Sequence, residues 1–153
     1  MLGEEYIKNF CSRWYILRTA WLYGRYGKNF VKTIIDASKK KDVLKVVDDQ
    51  IGSPTSVQDL SFVISRLFNG YSYGLYHCSG DGRCSWYEFA CEITKVFGLN
   101  VRVYPCSSGE YKTKALRPKF SVLDNFMLKL IGEDYFRDWK AAFKCFYENY
   151  KLG

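Results

Sequence analysis

An α/β fold with few, mainly parallel strands and about five helices is predicted by three features of the sequence. Short apolar runs alternate with longer segments whose apolar residues recur at helical spacing. Two of the helical segments open on a Ser/Thr-x-x-Glu/Gln pattern, in which each side chain satisfies a backbone donor at the helix start. A glycine closes one of these segments, where a left-handed residue is favoured. Alternating strands and helices build crossover units, and these place strands in parallel. The 153 residues are read as a single domain, 1–153, large enough for a sizeable core.

The chain opens with MLGEEYIKNFCSRWYILRTAW. Tyr6, Ile7, Phe10 and Cys11 fall on one helical face, and no Ser, Thr, Asp or Asn stands ahead of them as a start signal. A helix is therefore expected to be already under way at the first residues. Tyr15 to Arg18 reads as a strand. Asn29 to Lys39 reads as a helix with Phe30, Val31, Ile34 and Ile35 inward, and Val43 to Val47 as a strand. SPTSVQDLSFVISRLF starts a further helix, with Thr55 and Gln58 as its capping box and Val57, Leu60, Val63, Ile64 and Leu67 as its buried stripe.

Leu75 to Cys78 is a strand, and SWYEFACEITKVFG is a helix capped by Ser85 and Glu88 and stopped by Gly98. Val101 to Tyr104 is another strand. Two helical segments close the chain, one lined by Leu123, Phe126, Met127 and Leu130, the other by Trp139, Phe143, Phe146 and Tyr150. There is no internal repeat, low-complexity stretch or clear linker.

Composition narrows the function classes. Hydrophobic residues make up 48% and aromatics 18%, so a packed body is expected rather than disorder. No stretch approaches the roughly 18 apolar residues of a membrane span. Glu4 and Glu5 stand where a secretory leader would be basic, so a cytoplasmic protein that avoids membranes is expected. The net charge is +7, but the basic residues are scattered. The densest run, Lys39-Lys40-Lys41, reads as a solvated helix end meeting the negative pole of the dipole, not as a nucleic-acid patch. The excess charge also suits an anionic small ligand.

Six cysteines, at 11, 78, 84, 91, 106 and 145, form no C-x-x-C pair. The single His77 reads as a core-strand residue and has no ligand partner at metal spacing, so free buried thiols and no metal are expected. No G-x-G-x-x-G follows a strand; SGDGR at 79–83 reads as a turn. YENYK at 147–151 fits Tyr-x-x-x-Lys. With 13 tyrosines in a Lys-rich chain, about one such match arises by chance. It lies at the end of a helix with nothing downstream to wall a site, so no catalytic residue is assigned.

Three stretches carry a more specific signal: ILRTAWLYGRYGKNFVKT (16–33), LKVVDDQIGSPTSVQDL (44–60) and YHCSGDGRCSWYEFA (76–90). Together with RPKFSVLDN (117–125) they resemble the dTDP-4-dehydrorhamnose reductases, in that family's order and over nearly the whole chain. The family belongs to the extended short-chain dehydrogenases, with an NAD(P)-binding Rossmann-like fold. Its members use NADP or NAD to reduce the 4-keto group of a dTDP-linked deoxysugar. The resemblance implies that MLGEE lies just past the family's catalytic Tyr-x-x-x-Lys. The chain is then the C-terminal, substrate-binding half, without the N-terminal cofactor half, inactive alone and binding no cofactor by itself. A non-catalytic regulatory or partner subunit of the same fold is the alternative.

The resemblance also nominates site residues for a dTDP-sugar partner. Trp21 follows a strand end and offers a flat face and one N–H to a sugar, unless it is a core residue. Thr19 and Ala20 would pass near the nicotinamide. Arg18 is either a site charge or an ion-pair partner. Asn29 begins a helix near the nucleotide, or is only its cap. Gln50 is placed to hydrogen-bond the thymine or ribose, while Asp49 anchors the loop; Gly52 permits unusual backbone angles and Pro54 stiffens the approach to the helix. Arg117 would fork onto the pyrophosphate, with Lys112, Lys114 and Lys119 adding field. Strand edges left without their neighbours predict self-association or pairing with a missing N-terminal half.

Overall fold

The computed structural model describes residues 2–70, 72–110 and 117–151. Along the chain run α1 (Leu2–Phe10), β1 (Tyr15–Arg18), β2 (Leu22–Tyr23), α2 (Phe30–Ser38), β3 (Val43–Val47), β4 (Ile51–Gly52) and β5 (Thr55–Ser56). They are followed by α3 (Val57–Asn69), β6 (Gly74–His77), β7 (Cys84–Ser85), α4 (Trp86–Phe97), β8 (Arg102–Cys106), α5 (Phe126–Leu130) and α6 (Trp139–Lys151). Six helices stand among the described residues where the pattern predicts about five.

The strands pair two by two. β1 lies parallel to β6 with Tyr15 opposite Gly74, and β3 parallel to β8 with Val43 opposite Arg102. β2 and β5 form a short parallel pair, and β4 and β7 an antiparallel one. Parallel pairing thus dominates, as alternation predicts, but in four two-stranded ladders.

Local chemistry explains the element ends. At the start of α4, Ser85 Oγ accepts from the Glu88 N–H (3.0 Å) and the Glu88 carboxylate accepts from the Ser85 N–H (2.7 Å). Gly98 ends that helix at φ 61, in the left-handed region. At α3 the structure corrects the expected cap. Ser56, not Thr55, accepts from the Gln58 N–H. Thr55 is held extended by pairing with Leu22, and its hydroxyl accepts from the Gly80 N–H at 3.1 Å. The cap therefore moves one residue on, and Val57 turns outward, leaving Val63 and Leu67 as the buried stripe. In α5 the expected face is also wrong. Phe126, Met127 and Leu130 are exposed, and Leu128 is the buried residue, because five residues make barely one turn and its fit is decided by one plug.

Two apolar clusters hold the body together. The larger joins α2, β3, α4 and α6 around Ile34, Phe89, Ile93 and Phe143, with Tyr23 edge-on to Phe143 and Phe146. The smaller joins α3, β1, β6 and α5 around Val63, Tyr76 and Leu128. Asp59 of α3 is buried and receives the Arg137 guanidinium, which ties α3 to the approach to α6. By contrast α1 buries no residue: Leu2 is 72% and Phe10 78% exposed.

All six cysteines are free. Cys78, Cys84 and Cys106 are buried, whereas Cys91 and Cys145 are half-buried and Cys11 is exposed, against the expectation of uniformly buried thiols. Cys11 follows α1, which has no buried residue. Burial pushes the Cys78 thiol up to about 12 and raises that of Cys84 as well.

Candidate functional site

A cleft of about 830 Å³ lies between the inner face of α2 and the strand β3. Phe30, Ile34 and Ala37 form one wall, and Val43 to Val47 the other. Lys41, Lys45 and Arg117 are the lining cations, all on exposed positions, and no Asp or Glu lines the cleft among the described residues. A slot with apolar walls and a cationic rim suits a flat ring carrying negative charge. A second cavity of about 390 Å³ is lined by Ala20, Trp21, Pro118 and Ser121. Gln50, Trp86 and Arg117 line both and form the boundary between them.

The loop that carries Gln50 is braced from two sides. Gln50 is 7% exposed and donates from Nε2 to Ser108 Oγ at 2.8 Å. Ser108 in turn donates its N–H and hydroxyl to Asp49 Oδ1, at 2.9 and 2.5 Å. These bonds hold the Asp49 carboxyl below its ordinary range. Asp49 is thus the loop anchor that the sequence reading offers for it. On the other side β4 exchanges backbone bonds with the segment after Arg117: Ile51 N–H to Lys119 O (2.8 Å) and Ser121 N–H to Ile51 O (2.9 Å). This pairing brings Gln50 and Arg117 to one cleft from positions far apart in the chain.

Trp21 sits just past the end of β1, with its carbonyl accepting from the Thr55 N–H at 3.1 Å. Its φ is 49, the one non-glycine residue in the left-handed region among those described. The indole stacks on Trp86, ring centroids 3.4 Å apart and planes 7° apart. Gly52 lies directly beneath it. A Cβ there would stand 2.3 Å from Trp21 Cε2. Gly52 is therefore small to admit an indole, a different reason from the unusual backbone angle expected of it. Gly80 plays the same part elsewhere in the frame: a Cβ there would meet the Pro54 carbonyl oxygen at 2.2 Å, so SGDGR is a packing turn.

The other nominated residues divide. Ala20 lines the smaller cavity beside Trp21. The Thr19 hydroxyl is buried without a hydrogen-bond partner among the described residues. Asn29 caps α2: Oδ1 accepts from the Lys32 N–H at 3.2 Å and Nδ2 donates to Gly24 O at 2.8 Å. Its side chain is spent locally and lines neither cavity, although the helix it caps forms a wall. Arg18 is the ion-pair partner of Glu4, through bonds of 2.9 and 2.6 Å. His77 is half-buried, with Nδ1 3.2 Å from Asp124 O. Lys112 and Lys114 lie outside the described residues. Tyr147 and Lys151 line neither cavity; the Lys151 ammonium sits over the Tyr147 ring at 4.6 Å and the ring packs edge-on to Phe97. Trp86, which borders both cavities, is the residue that sequence reasoning missed. Its one local signal is an aromatic at the first position of a capped helix.

The α/β fold is that of the Rossmann-like extended short-chain dehydrogenases. Among solved structures, a dTDP-4-dehydrorhamnose reductase from Clostridium acetobutylicum superposes with a TM-score of 0.94 at 46% identity, covering 97% of this chain and 53% of that one. One from Bacillus anthracis, in complex with NADP, gives 0.91 at 42% identity, covering 96% and 52%. The chain belongs to the family of the RmlD substrate binding domain, which matches residues 1–152. The spore coat polysaccharide biosynthesis protein SpsK of Bacillus subtilis is 41% identical over 94% of this chain and 50% of its own length. The dTDP-4-dehydrorhamnose reductase of Aggregatibacter actinomycetemcomitans is 35% identical over 93% and 52%. The chain thus spans about half the length of the relatives it matches. Among the described residues no helix is long and apolar enough to cross a membrane.

Proposed function

We propose that this chain is the substrate-binding half of a dTDP-4-dehydrorhamnose reductase, with the nucleotide of a dTDP-sugar in the larger cavity and the sugar in the smaller. The observation that carries the reading is the shared boundary. Gln50 and Arg117, nominated separately, line both cavities at once. A diphosphate joins a base to a sugar, and the boundary is where its charge would fall. There the Arg117 guanidinium, with its planar fork of donors, is the group suited to phosphate oxygens. The apolar walls of α2 and β3 take the thymine, whose methyl group gains from burial. Gln50, fixed by Ser108, offers an amide to its polar edge. The stacked Trp21–Trp86 pair lines the smaller cavity, where indole surface suits a deoxysugar.

For the cofactor, no strand–helix junction of this sequence has the glycine-rich turn that holds a dinucleotide's pyrophosphate. Thr19, whose hydroxyl has no partner among the described residues, and Ala20, on the smaller cavity, are the residues proposed to face a nicotinamide. Tyr147, whose spacing to Lys151 fits Tyr-x-x-x-Lys, lies near the end of α6 with the Lys151 ammonium over its ring, and no proton transfer is assigned to it. The role derived for this chain is to hold and orient substrate, which is itself a large part of catalysis.

A tryptophan-fluorescence titration with dTDP, run beside NADPH at two salt concentrations, tests the reading. Saturable dTDP binding that weakens with salt, without NADPH binding, is the expected result. Absence of any dTDP response overturns it.

A further inference from the structure

Trp86 has no role in the sequence reading, yet with Gln50 and Arg117 it lines both cavities, and it is the aromatic member of that boundary. Its backbone is the first residue of α4, locked by the Ser85–Glu88 box and by the Ser85 hydroxyl donating to Asp48 at 2.5 Å. Its ring packs against Phe30, centroids 4.5 Å apart with the planes tilted by 52°, and stacks on the indole of Trp21. Trp86 is thus a rigid platform, and Trp21 is the element resting on it.

Trp21 rests there in a conformation that an indole-bearing residue rarely adopts, with φ 49. Its ring fills the space above Gly52, where even a methyl group would not fit. At a centroid spacing of 3.4 Å nothing can enter between the two rings. Trp86 lines both cavities and Trp21 the smaller one, so a ligand that spans the two lies against this pair.

Building on the proposed function, we propose that Trp86 is the sugar platform and specificity-determining residue of this site. The closed Trp21–Trp86 stack takes the place of the sugar in the free protein. Entry of the sugar moves Trp21 off the platform, and relief of its backbone strain offsets the lost stacking. A nucleoside diphosphate without a sugar fills the larger cavity and leaves the stack closed. The site thereby discriminates sugar nucleotides from free nucleotides through the stack rather than through the phosphate contacts.

Two stacked indoles give a far-ultraviolet exciton couplet in circular dichroism, and among the described residues no other pair of tryptophans stacks. The experiment follows this couplet during titrations with dTDP and with dTDP-glucose, alongside W86A and W86F. The couplet is expected in the free chain, unchanged by saturating dTDP and lost with dTDP-glucose. W86A is expected to reduce the preference for dTDP-glucose over dTDP by about fivefold, while W86F, which keeps a flat ring, restores most of it. Binding of dTDP-glucose with the couplet intact overturns the inference and leaves the proposed function standing. So does an unchanged preference in W86A. Failure of both nucleotides to bind overturns both.

Discussion

Gly52→Ala is a one-methyl perturbation with a large expected effect. The new Cβ would lie 2.3 Å from Trp21 Cε2 and 2.5 Å from its Nε1. Carbon atoms rest about 3.5–4.0 Å apart, so one side must yield by more than about 1 Å. The backbone of Gly52 cannot give easily, because its strand pairs with β7 through Cys84 and the preceding Ile51 bonds to Lys119. The indole must therefore leave. Overpacking of this kind costs about 1–3 kcal/mol, while the lost stack is offset by relief of the Trp21 backbone strain. A cost of about 1–3 kcal/mol lowers the Tm of a domain of this size by roughly 2–12 °C. Thermal unfolding followed by circular dichroism measures it. Gly3→Ala, with open space around the added methyl and a helical position, is the control and should leave Tm unchanged or slightly raised. A G52A protein with wild-type Tm would refute the claim that Gly52 exists to seat Trp21.

Four further expectations can be checked. Arg117→Ala should weaken dTDP binding about 10- to 100-fold in calorimetric titration and leave thymidine affinity unaltered, since a charge-assisted phosphate contact is lost. The Asp49 carboxyl is held below its ordinary value by Ser108, so its contribution to stability is complete above about pH 4 and is lost as the pH falls through the folded-state value; Asp49→Asn should flatten that acid limb in pH-dependent unfolding. In alkylation at pH 8 followed by mass spectrometry, exposed Cys11 should react first, and Cys78 and Cys84 only after denaturation, because burial keeps them as thiols. The uncovered face of α1 should drive self-association in sedimentation, and Leu2→Glu with Phe10→Glu should yield a dilution-stable monomer; a wild-type monomer at all concentrations would contradict this.

The parts of the fold that were legible in the sequence are those decided locally. β1 and β3 begin and end where their apolar runs do. Ser85, Glu88 and Gly98 define α4 through bonds within a few residues of chain. Thr55 misleads because its spacing to Gln58 is that of a cap, while pairing with Leu22 of β2, far earlier in the chain, decides its conformation. Phe126, Met127 and Leu130 mislead because five residues are too few for periodicity to decide a face. The cleft was visible only through resemblance, which nominated Gln50, Arg117 and Trp21 one by one. That they meet depends on backbone bonds between β4 and residues 119–121, and no local pattern encodes those. Trp86 escaped notice for the same reason: α4 brings it to Trp21 through tertiary packing alone.

The most direct test of the central claim is a two-dimensional amide NMR titration of the isotopically labelled chain with dTDP. The account predicts saturable shifts concentrated on the inner face of α2, on β3 and on Gln50, the residues that line the larger cavity. Shifts scattered over the surface, or centred on the lysine run alone, would contradict it.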